Sequence, residues 1–154
     1  MSKILEEPKT SDFVTVSIDG QSFGIAVSLI QDVFIPRSIT HVPLALPEVL
    51  GVLNLRGRIV TAIDVRTRLG LPRLPPEATL MAVGIEKAGE VYGLIVDGVG
   101  EVLSIETAQI DRNPVNLDER WRKVSSGIIK LDGRLLVVLD VDAVLTFNTQ
   151  SKAA

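Results

Sequence analysis

Side chains able to do chemistry are few in this chain of 154 residues, and they are scattered. There is no cysteine, which removes disulfides, thiolate-ligated zinc, iron–sulfur clusters and thiol catalysis. The single histidine, His41, precedes Val42-Pro43 in a stretch that reads as loop. A Ser-His-Asp triad would have to use it, in a chain with no G-x-S-x-G elbow. Gly98-Val99-Gly100 lacks the third glycine of a dinucleotide loop, since position 103 is Leu. Among the acids, Asp19 and Asp132 fall in turns, and Asp64 and Asp140 stand where helix N-caps belong. Asp32 and Glu101 each follow an apolar strand and sit at a rim. No set of titratable groups converges, so the expectation is a protein without enzymatic activity, metal or cofactor.

One charged residue invites a role. Arg56 lies in Gly51–Leu69, GVLNLRGRIVTAIDVRTRL, which reads as strand, tight turn, strand and short helical turn. An arginine at a hairpin tip is exposed and offers five donors in a planar fork, suited to contacting a partner. The same stretch recurs as Gly127–Leu145, GIIKLDGRLLVVLDVDAVL, at an offset of 76 without a gap, with seven of 19 positions identical. The second copy has Asp132-Gly133 at its tip, a strong hairpin signal in which both residues are expected at positive φ. Gly20, Gly57 and Gly133 are the glycines such turns require.

The elements that position these residues repeat as well. Phe13–Ile18, the Asp19-Gly20 turn and Ser22–Val27 read as a hairpin, matched by Leu80–Ile85, Ala88-Gly89 and a strand from Tyr92. Phe23–Val33 aligns with Tyr92–Val102 at an offset of 69. The connectors Phe34–Leu50 and Leu103–Ser126 differ by seven residues, which accounts for the two offsets. The halves are then about 13–70 and 79–146, joined by a proline-rich link over 71–78, with tails at 1–12 and 148–154. Short strands, glycine turns and little helix predict an all-β fold of two small barrel lobes from an internal duplication. Leu135–Leu139 is apolar throughout, so both of its faces should be covered, between the lobes. Trp121, in a helical turn over Asn116–Lys123, is expected to pack on the body.

Apolar residues make up 46% of the chain and aromatics 4%, enough for a core but poor in platforms for stacking bases. The net charge is −3, yet Val49–Pro76 carries five arginines against one acid, a net of +4 that leaves −7 elsewhere. A local basic patch on an acidic chain suggests an acidic protein partner rather than nucleic acid. No apolar run approaches the ~18 residues that span a bilayer, and no signal peptide is read, so no membrane insertion and a cytoplasmic location are expected.

The stretch GVLNLRGRIVTAIDVRTRLGL, with YGLIVDGVGEV, closely resembles the CheW-type chemotaxis coupling proteins, N-L-R-G followed by an apolar strand and D-[LV]-R being the specific part. The resemblance spans about Phe13–Phe147. It implies two intertwined SH3-like five-stranded barrels. It also implies a non-catalytic adaptor that bridges the cytoplasmic hairpins of chemoreceptors (methyl-accepting chemotaxis proteins) to the regulatory domain of the histidine kinase CheA, in arrays at the inner face of the membrane. By position, Arg56 matches the receptor-contacting arginine and Asp32 its acidic partner position, often Glu. Ile30, Gly51, Leu80 and Met81 fall at positions lining the same groove. The resemblance puts the kinase-facing surface on the far end of the first barrel. Phe34-Ile35-Pro36 departs from a segment more polar in many members, which implies a different receptor class or an altered groove edge. A CheV-like adaptor module, a kinase regulatory domain of the same superfamily, and, in another class, a small-barrel nucleic-acid binder are the alternatives.

Overall fold

The structure, a computed structural model, describes residues 9–75 and 78–146. Four hairpins with two-residue loops form its frame. They are β1 (Thr10–Ile18) with β2 (Gln21–Ala26), β4 (Val49–Leu55) with β5 (Arg58–Asp64), β6 (Met81–Lys87) with β7 (Glu90–Val96), and β10 (Ser125–Leu131) with β11 (Arg134–Leu139). The remaining strands are β3 (Ile30–Phe34), β8 (Gly98–Glu106) and the two-residue β9 (Ile110–Asp111); the helices are single turns, α1 (Val65–Arg68), α2 (Glu119–Arg122) and α3 (Val141–Leu145). Asp64 and Asp140 cap α1 and α3 as expected, accepting from the N–H of Arg66 and of Ala143.

β1 starts at Thr10, pairing Thr10 with Glu106, so three residues expected in the N-terminal tail are strand. β8 likewise runs to Glu106, four residues into the stretch expected as connector, because β1 offers it partners along its whole length. Residues 1–8 of the N-terminal tail, 76–77 of the link and 147–154 lie outside the described residues.

The sequence halves are not the lobes. One sheet has the order β3-β6-β7-β5-β4 and the other β8-β1-β2-β11-β10-β9, so each half lends its opening hairpin to the other half's sheet. Two parallel pairings stitch the exchange, β5 with β7 and β11 with β2. The six-stranded sheet exceeds the expected five only by β9, whose counterpart is the lone bridge between Thr40 and Val52. Both edges of each sheet feed one cluster: Phe34 of β3 and Leu53 of β4 in the first lobe, Ile105 of β8 and Ile110 of β9 in the second. Each sheet is therefore rolled around its own core, which hides apolar surface that a flat sheet of this size would expose.

A third, larger cluster lies between the lobes and draws on both halves, with Phe23, Ile25, Ile63, Val83, Leu94 and Val137 buried in it. β11 serves two cores, Val137 and Leu139 facing the shared cluster and Leu136 and Val138 the second lobe, as its unbroken apolar run predicts. Trp121 packs on the shared core edge-on to Phe23, ring centroids 5.3 Å apart.

Gly51 and Gly127, identical in the repeat, share a cause. A Cβ on Gly127 would stand 2.8 Å from the Asp111 carbonyl oxygen, and one on Gly51 would collide with that of Thr40. In each lobe the connector crosses directly over this glycine.

Candidate functional site

Three tips, Asp19-Gly20, Arg56-Gly57 and Ala88-Gly89, hold both residues at positive φ. Asp132-Gly133 departs from expectation: only Gly133 is left-handed, at +76°, as in a turn that asks this of its second central residue alone. Arg56 sits at +50°, a conformation costing a side-chain-bearing residue roughly 1–2 kcal/mol. The Asn54 Oδ1 accepts a hydrogen bond from the Gly57 N–H at 2.9 Å, across the tip.

The Arg56 side chain, 74% exposed, reaches to edge strand β3, where its Nη2 lies 2.6 Å from the Asp32 Oδ2. Asp32 is 25% exposed and its Oδ1 accepts from the Val33 N–H. Its Oδ2 is sealed from solvent and makes no well-aligned hydrogen bond; the guanidinium neutralises it by proximity. Beside this pair, Glu86 accepts from the Gln31 side chain at 2.6 Å and faces Arg58 at 3.5 Å. Gln31, Asp32, Arg56 and Arg58 rim a hollow of about 460 Å³ with an apolar floor of Phe34, Leu55, Val60 and Val91. Phe34, from the departing segment, thus belongs to the floor. With its cation largely in solvent, the pair adds on the order of 1 kcal/mol to stability, no more than the left-handed conformation of Arg56 costs.

The structure joins Arg56 and Asp32 but not the other four residues placed by resemblance. Ile30 and Met81 pack on the shared core. Leu80 packs on the first-lobe core and lines a separate cavity of about 480 Å³ with Ile39, Leu50 and Ile95. Gly51 is buried beneath Thr40, so its backbone offers no groove surface and close packing accounts for it. Gly20, Gly57 and Gly133 have the positive φ their turns were read to need.

The basic patch dissolves. Each of its five arginines is matched locally: Arg56 to Asp32, Arg58 to Glu86, Arg66 to Asp97, Arg68 to the carbonyls of Ala143 and Val144 at the end of α3, and Arg73 to Asp64 and the Pro47 carbonyl. Charge count along the chain counted cations without the acids that long-range pairing brings to them.

Sequence reasoning missed one cluster. Arg66 of α1 holds Asp97, the residue between β7 and β8 where the chain passes from one lobe to the other, by two hydrogen bonds of 2.8 and 2.7 Å. The second Asp97 oxygen also accepts from the Asp19 N–H at the β1–β2 tip. The Arg66 guanidinium holds the Asp97 carboxyl below the usual carboxylate range, against the opposing effect of burial. Arg66 is raised in turn by that hydrogen bond. The partners are 31 and 78 residues apart, so no local pattern signals them. Among the described residues no three His, Cys, Asp or Glu side chains converge to hold a metal, and no helix is long and apolar enough to cross a membrane.

A two-lobed β fold with a rimmed apolar hollow and a presented cation defines a binding module. The CheW-like domain family model matches residues 12–148, and the chain belongs to that family. Its relatives include proteins named chemotaxis protein CheW: from Thermotoga maritima, 33% identical over 145 residues and 94% of each chain, and from Bacillus subtilis, 28% identical over 148 residues, covering 96% of this chain and 95% of the relative. A solved structure titled scaffolding protein TtCheW, from Thermoanaerobacter tengcongensis, superposes with a TM-score of 0.74 at 27% identity, over 86% of this chain and 89% of that one.

Proposed function

We propose that this protein is a non-catalytic adaptor that couples the cytoplasmic hairpin tip of a chemoreceptor to the regulatory domain of the histidine kinase CheA, at the inner face of the membrane. The observation that carries this reading is Arg56: exposed, held in a strained backbone conformation, and set at the rim of an apolar hollow. A receptor helix lays apolar side chains on Phe34, Leu55, Val60 and Val91, and one of its acids takes the guanidinium over from Asp32. Asp32 keeps the cation aimed until then. The kinase regulatory domain is assigned to a barrel edge, joined edge to edge. Relatives named as scaffolding and chemotaxis proteins support the coarser part of this reading.

The test is Arg56→Ala against a soluble receptor cytoplasmic fragment. The expected result is a loss of roughly 2 kcal/mol or more in binding, the size of a hot-spot residue, with little change in Tm. Unchanged affinity removes the assignment of this hollow.

A further inference from the structure

The four two-residue hairpin tips allow a controlled comparison. All carry glycine second, and three share the left-handed pair. Among the described residues, no side chain accepts from the glycine N–H at Ala88-Gly89, where this conformation stands, or at Asp19-Gly20 and Asp132-Gly133. Among them, only at Arg56-Gly57 does a side chain cap that N–H, the Asn54 Oδ1 at 2.9 Å. The turn therefore forms without the cap, and the fold does not need it. In the duplicated tip the equivalent of Asn54 is Lys130, which has no acceptor to offer. The cap coincides with the one tip whose first residue reaches back over an acid on a neighbouring strand.

We infer that Asn54 is a positioning residue: its bond to Gly57 fixes the peptide that follows Arg56 and so aims the guanidinium over Asp32 and the hollow. This rests on the reading of the hollow as the receptor site. A tip free to rock about this peptide would spread the guanidinium over several directions, and binding would have to restore the order. Asn suits the task, since its amide oxygen accepts a backbone N–H without adding a charge that would compete with Asp32 for the arginine.

The test uses the full chain with Asn54→Ala and Asn54→Asp, the second keeping the acceptor. Amide exchange of Gly57 is read against Gly89, an uncapped tip in the same molecule. Wild type should exchange more slowly at Gly57 than at Gly89; Asn54→Ala should bring the two together, and Asn54→Asp should restore the gap. Affinity for the soluble receptor cytoplasmic fragment should fall roughly threefold to tenfold in Asn54→Ala, the cost of ordering one long side chain on binding, with Tm little changed. Wild-type affinity in Asn54→Ala despite a freed Gly57 amide overturns the inference, as does a Tm that falls with affinity. Arg56→Ala run alongside separates the failures. Normal binding in Arg56→Ala overturns the site reading and this inference with it. Lost binding in Arg56→Ala alone overturns only the role of Asn54.

Discussion

Each lobe has a hollow beside its repeated hairpin tip, and the two are built differently. In the second lobe Glu101 stands where Asp32 does and Asp132 where Arg56 does, so the tip faces its rim acid with the wrong charge. Arg134, two residues on, reaches Glu101 instead, at 3.5 Å, both side chains largely exposed. The hollow there is smaller, about 300 Å³, and is walled by Thr15, Val16, Ser17, Ser22, Val99 and Glu101; the counterparts of Phe34, Leu55 and Val60, which are Leu103, Leu131 and Leu136, belong to the second-lobe cluster and do not line it. Its tip is relaxed at Asp132 where the first is strained at Arg56. A shared scaffold thus shows what the fold needs, a glycine turn and a crossing connector; on the proposed reading, recognition adds a cation above an apolar floor.

Several substitutions would break or sharpen that comparison. The largest effect is expected where the lobes are alike. Gly51→Val and Gly127→Val should each cost about 3 kcal/mol or more in chemical denaturation, since the connector backbone cannot yield. Gly51→Val should be the worse, because the approach there is closer. Next comes the joint between lobes. Asp97→Asn should cost about 2 kcal/mol near neutral pH by leaving Arg66 half-paired in a mostly buried site. The folded-state pKa of Asp97 lies below its ordinary value of 3.8, so the pair's contribution is complete above that value and is lost as pH falls through the lower, folded one. Acid titration of stability in wild type should therefore show a limb that Asp97→Asn lacks. Smaller again is Arg134→Ala, expected within about 0.5 kcal/mol of wild type in stability and without effect on receptor binding, because its pair with Glu101 is exposed and lies in the other lobe from Arg56. Smallest is Asp132→Ala, within about 0.5 kcal/mol in thermal denaturation, since that residue bears no left-handed strain.

Repetition made the fold legible. Offsets of 69 and 76 set out four hairpins, and periodicity with caps at Asp64 and Asp140 placed strands and helical turns. The exchange of hairpins between lobes was not readable from spacing alone, because β2–β11 and β5–β7 are pairings between distant segments with no local signature. At the site, Arg56 was singled out by its exposed place at a hairpin tip, whereas the pairing of Asp32 with it came only from the family resemblance. Gly51, placed at the groove by resemblance, has a packing reason of its own: a glycine at a close approach and one at a contact surface look alike until the crossing chain is seen. The Arg66–Asp97 pair and the dissolution of the basic patch both depend on partners brought from afar.

The central claim is that the first tip keeps its arginine for recognition at a cost to the fold. Arg56→Gly tests it most directly, because glycine adopts this conformation freely while removing the cation. Thermal denaturation and receptor binding measured on that one variant should move in opposite directions, with Tm held or raised and affinity reduced by roughly 2 kcal/mol or more. A lowered Tm with receptor binding intact would contradict it.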